Sequence, residues 1–152
     1  MGRLALLCLA LGCALAAFAG SAVAATKTSV TFTDTVVSTG APERVWTSDD
    51  QILHVRGQPQ TTVVAGDLTG TIQLVVNLNL DLTTGNGELF GTFTLTTTTG
   101  TWAGSFRGEL TATGASGTFV GQGDDGTKIM GSFTSTGPTS FLNEAVILDP
   151  HG

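Results

Sequence analysis

Residues 71–84 run without a Gly or Pro and follow a period of two. Leu74, Val76, Leu78, Leu80 and Leu82 take one face, and Gln73, Asn77, Asn79 and Asp81 take the other. A period of two belongs to an extended chain with one side against a core and the other toward water. The stretch therefore predicts a long, half-buried β-strand. The pattern returns at residues 28–38 (Val30, Phe32, Val36), 88–97 (Leu89, Phe93, Leu95) and 101–111 (Trp102, Phe106, Leu110). With shorter runs at 44–47, 51–56, 61–65, 118–122, 128–134 and 139–148, the count is eight to ten strands. Gly or Pro interrupts most windows long enough for a helix.

Turn residues stand between these runs: Thr84-Gly85-Asn86-Gly87, Thr113 to Gly117, Gly123-Asp124-Asp125-Gly126 and Gly137-Pro138. Gly, Asn and Asp supply the backbone conformations that hairpins need. The threonine-rich stretch 94–101 reads as the tip of a long hairpin, and residues 57–60 around Pro59 read as a connection between strands. A meander of hairpins builds an antiparallel sheet, which must stack into a sandwich or close into a barrel. Among the 21 glycines, Gly91, Gly104, Gly108, Gly121 and Gly131 fall on the apolar faces of strands. Glycine weakens a strand, so its repeated use there needs a reason. Small residues alternating with large inward ones let a barrel curve tightly, which favours the barrel. The expected fold class is all-β: one antiparallel barrel, eight-stranded within that count of eight to ten, over residues 25–152.

The first 24 residues read differently. Arg3 precedes an apolar block from Leu4 to Ala19, and Ala22-Val23-Ala24 offers the small residues of a cleavage site, as in a secretory signal peptide. Export to the periplasm or the medium is the expectation. Both cysteines, Cys8 and Cys13, lie in that block, so cleavage before Ala25 removes every thiol and with it a Cys nucleophile, a thiolate zinc site and a redox pair. Residues 25–152 carry 5 basic and 12 acidic side chains with no basic cluster. Nucleic acid and, after cleavage, a membrane surface are therefore not expected partners.

Few residues offer chemistry. His54 and Arg56 share a face opposite Leu53 and Val55, and in a cavity mouth they would serve as an acid/base and an anion clamp. On an outer face they would merely be solvated. Trp46, Phe93, Trp102 and Phe106 are the aromatic candidates for lining a ligand pocket, or for ordinary core. Arg107 and Glu109, like Asn77, Asn79 and Asp81, suit a polar outer ladder. Asp124-Asp125-Gly126 lacks the spaced ligands of a calcium loop and reads as a turn. No His pair has metal spacing, no Gly-rich loop leads into a helix, and no cofactor or metal is implied.

The stretches Gly66-Asp67-Leu68-Thr69-Gly70-Thr71, Gly87-Glu88-Leu89-Phe90-Gly91-Thr92-Phe93, Gly100-Thr101-Trp102-Ala103-Gly104-Ser105-Phe106-Arg107-Gly108 and Gly117-Thr118-Phe119-Val120-Gly121-Gln122-Gly123 share a glycine-then-aromatic succession at strand starts. In this the chain resembles the allene oxide cyclase barrel-like proteins, a group that includes plant dirigent proteins and small bacterial relatives. The resemblance implies an eight-stranded barrel whose cavity holds a small hydrophobic molecule. It further implies that shape and a few polar residues steer a cyclisation, coupling or isomerisation without a cofactor, often in a dimer or trimer. The chain departs from the group in having no Tyr and no recognisable acidic catalytic motif, so the fold carries over and a catalytic set does not. Gly100-Thr101-Trp102 is also similar to the Gly-x-Trp of lipocalins and avidins, which would put Trp102 at the closed base of a cup, although there the motif lies on the first strand. The competing expectation is a structural or surface-interaction barrel packed shut. A cavity of roughly 300 Å³ or more would favour a ligand. If the barrel were incomplete, the strand at 71–84 would be free to pair with a second copy.

Overall fold

The structure, a computed structural model, describes residues 24–152; of the signal-like block at 1–24, residues 1–23 lie outside the described residues. Nine strands succeed one another: β1 Thr26–Thr39, β2 Arg44–Thr47, β3 Ile52–Gly66, β4 Gly70–Asp81, β5 Gly87–Thr97, β6 Thr101–Thr111, β7 Gly114–Gly123, β8 Lys128–Ser135 and β9 Ser140–Asp149. From β3 to β9 every strand pairs antiparallel with its successor, β9 pairs with β1, and β1 pairs with β3. Eight strands thus close into an up-and-down barrel, with β2 as the ninth. β2 continues the line of β1 along β3, with Arg44 opposite Arg56 and Thr47 opposite Leu53.

The connection expected at residues 57–60 is instead part of the unbroken strand β3. Gly57, at φ 64°, forms a bulge between the β4 pairings of Val55 and Gln58, and its N–H bonds Asn77 Oδ1. The Pro59 carbonyl accepts from Gly40 N, so the side of Pro59 that lacks an N–H faces the gap between β1 and β2, where no ladder bond is lost. The long alternating strand is β4, and β3 and β5 pair with both its edges. It therefore offers no edge to a second copy; β2 has the open edge. β4 also ends before Leu82, which is exposed: Asp81 Oδ1 accepts from the N–H groups of Thr83 and Thr84 and begins the turn.

Apart from Leu82, the residues of the apolar faces point inward, and the glycines among them give up space to neighbouring rings. A Cβ on Gly91 would lie 2.9 Å from Phe106, one on Gly108 2.7 Å from Phe133, and one on Gly121 2.9 Å from Phe93. Each ring occupies the room of a missing methyl one or two strands away, an interlock that a close-packed interior needs. One end of the barrel is solid. Val30, Val64, Leu68, Leu95, Trp102 and Ile129 are buried there, with the Trp102 indole N–H donating to Thr127 Oγ1 at 2.9 Å.

Candidate functional site

Beyond that packed base, toward the end where β1 leaves the barrel, the interior opens into a cavity of about 260 Å³. Phe32, Phe93, Phe106, Phe119, Phe133 and Phe141 line it together with aliphatic side chains of β4 and β5. The rings meet edge to face, for example Phe93 with Phe119 at 5.8 Å and Phe106 with Phe133 at 6.3 Å between centroids. The volume is slightly under the 300 Å³ taken as the mark of a ligand pocket. It nevertheless exceeds the ~150 Å³ of cavities that admit benzene.

All the polar lining side chains come from three adjacent strands. β1 contributes Asp34, β9 contributes Asn143, and β3 contributes Gln58, Gln60 and Thr62. Asp34 is only 8 % exposed, Asn143 4 % and Thr62 2 %. Asn143 Nδ2 donates to Asp34 Oδ2 at 3.2 Å, while Asp34 Oδ1 and Thr62 Oγ1 are bonded by no other group among the described residues. Burial pushes the Asp34 carboxyl up to about 6, and the Asn143 hydrogen bond offsets part of that rise. A carboxyl with a midpoint there takes up or gives up a proton close to neutral pH. Buried polar atoms without partners are rare in native proteins, and they set this wall apart from the otherwise apolar interior.

Of the residues singled out from the sequence, Phe93 and Phe106 line the cavity. Trp102 lies below it in the packed base, where the Gly-x-Trp comparison would put it, but on β6 rather than on the first strand. Trp46, His54 and Arg56 do not reach the cavity. Leu53 and Val55 take the inward positions of β3, so the alternation turns His54 and Arg56 outward, with Trp46 opposite His54 across the β2 pairing. These three form an outer cluster in which the Trp46 and His54 rings stack at 4.7 Å. Arg56 Nη1 donates to the Val55 and Leu78 carbonyls at 2.8 Å, and Asn79 Oδ1 accepts from both Arg56 Nη2 and His54 Nδ1. Arg44 lies over the same indole at 4.4 Å. Arg107 pairs with Glu88 at 3.2 Å on the outer ladder. At the β7–β8 turn, Asp125 Oδ1 accepts from the Thr127 N–H and hydroxyl, and these bonds hold its carboxyl below the usual range.

Sequence reasoning passes over Asp34 and Asn143, although the signal is present. Asp34 occupies the inward register of Val30, Phe32 and Val36, and Asn143 that of Phe141 and Ala145. A polar residue in the middle of an apolar face is the informative exception. Among the described residues no group of His, Cys, Asp and Glu side chains is arranged to hold a metal ion.

Fold and site together define a class: a closed up-and-down β-barrel with a packed base, an apolar cavity and one polar wall. No protein-family model matches the sequence, and no curated protein matches it.

Proposed function

We propose that this chain is an exported barrel that binds one small hydrophobic molecule in its cavity, in the manner of the allene oxide cyclase and dirigent-like proteins that it resembles. The observation that carries this reading is the hollow lined by six phenylalanines beside a wall of under-bonded polar groups. A barrel whose role was only structural would gain stability from filling that space, because cavities cost free energy in proportion to their volume. By proportion with a benzene-sized site, the cavity suits a ligand of roughly ten non-hydrogen atoms. A ligand seated among interlocked rings, with its polar group on the Asp34 wall, is restricted to few conformations. That restriction is what a cofactor-free cyclisation or isomerisation requires, since orientation alone supplies much of the rate.

The test is titration of the protein purified from expression of the full chain with 2-methoxynaphthalene, a neutral fluorescent probe of suitable size. Saturable one-to-one binding that is weakened by Phe106→Trp, a substitution that adds bulk within the cavity, supports the reading. Absence of binding by a cooperatively folded protein sinks it in favour of a closed structural barrel.

A further inference from the structure

We propose that the cavity selects a small hydrophobic amine, bound as its ammonium ion with the nitrogen between Asp34 and Thr62. This rests on the reading that the cavity takes an apolar ligand, and it names the polar group that ligand carries. Asp34 is the sole titratable side chain lining the cavity among the described residues; no Lys, Arg or His from any of their strands faces it. An ionised carboxylate accepts hydrogen bonds and cannot donate them, so the free Oδ1 calls for a donor. The unpartnered Thr62 hydroxyl and the side-chain carbonyls of Gln58 and Gln60 supply further acceptors on the same wall.

Three ligand chemistries can be ranked against this wall. A carboxylic acid would bring a second negative charge beside Asp34 with no cation to relieve it. A neutral alcohol would satisfy one hydrogen bond but leave a buried charge uncompensated. An ammonium group satisfies the hydrogen bond, neutralises the charge and adds attraction to the faces of the surrounding phenylalanine rings. The acidic balance of the chain, net −6, favours the approach of a cation as well.

Isothermal titration at pH 7.5 with 3-phenylpropylamine, 3-phenyl-1-propanol and 3-phenylpropanoate tests this, because the three share one apolar body. The amine should bind about tenfold tighter than the alcohol, and the acid more weakly than either. Asp34→Asn, close to isosteric, should abolish the advantage of the amine over the alcohol in a protein that still unfolds cooperatively in urea. In the unmutated protein the advantage should shrink as pH falls through about 6, where Asp34 takes up a proton while the amine stays charged. An alcohol that binds as tightly as the amine, or an advantage that survives Asp34→Asn, overturns the proposal. If 2-methoxynaphthalene binds and the amine shows no preference, the amine proposal alone fails. If the probe and all three ligands fail to bind, the cavity reading fails with it.

Discussion

Two polar clusters sit on opposite faces of the same barrel wall, and they are satisfied to different degrees. Outside, Arg56, His54, Asn79 and Trp46 bond and stack with one another until Arg56 alone reaches two backbone carbonyls and a side-chain oxygen. Inside, Asp34, Asn143 and Thr62 share a single hydrogen bond and leave two buried oxygens unpartnered. The outer cluster has the residue types usually associated with catalysis, a His and an Arg, yet its bonds are spent on holding β2, β3 and β4 together. The inner cluster has ordinary residue types in a costly place. Residue type alone misleads here; unmet hydrogen-bonding capacity in an apolar setting is the better guide to where a ligand belongs.

The contrast can be removed by substitution, and the largest effect is expected at Asp34. Its carboxyl is raised from 3.8 to about 6, so the folded protein binds a proton that the unfolded chain does not between those values. Stability should therefore fall as pH rises through that window, by roughly 3 kcal/mol in all, and should not be regained at higher pH. Asp34→Asn should remove that slope and leave the protein more stable than the parent at pH 7.5, as read by urea unfolding. Asp50, Asp81 and Asp125 are held below their usual range by local hydrogen bonds and act in the opposite sense at lower pH. The informative quantity is therefore parent minus variant at each pH. A variant that is less stable at pH 7.5 would mean that Asp34 is ionised and well compensated.

Arg56→Ala should act the other way, lowering stability by about 1–2 kcal/mol because two carbonyls and Asn79 lose a charged donor. Its affinity for 2-methoxynaphthalene should stay within about twofold, and a larger loss would show that the outer cluster serves the cavity. Thr62→Val replaces an unpartnered buried hydroxyl with a methyl of similar shape. It should leave stability unchanged or raise it by about 1 kcal/mol in the same unfolding assay; a clear loss would reveal a partner for Thr62 Oγ1. Arg107→Ala is expected to matter least. Its pair with Glu88 is exposed, 77 % and 44 % for the two side chains, and such pairs contribute under about 0.5 kcal/mol that salt screens away. A larger, salt-insensitive loss would contradict that.

Much of the barrel is legible in the chain because its signals are local. The inward glycines of β5 to β8 and the turn residues at 84–87 and 123–126 announce strands, faces and hairpins, each within a few residues of its neighbours. The signal fails where a long-range fact overrides it. Pro59 resembles a break, yet it is accommodated because β1 has ended beside it and a bulge at Gly57 takes up the irregularity. Leu82 continues the alternation of β4, but the Asp81 side chain turns the backbone away before Leu82 can be buried. For the site, the apolar lining is within reach of the sequence through Phe93 and Phe106, whereas attention to His54 and Arg56 tracks residue type rather than register.

A run of antiparallel strands, and the apolar face of most of them, can be read from the chain alone, since a period of two is written residue by residue and needs no partner strand. Closure is different: the inward face of β1 meets β3 on one side and β9 on the other only once the barrel is assembled. That assembly brings Asp34 against Asn143 across 109 residues of chain. It also fills the base with Trp102 and Ile129 while the other half stays hollow. Burial, an unmet hydrogen bond and a shifted carboxyl are properties of surroundings built from distant strands, and no single strand contains them.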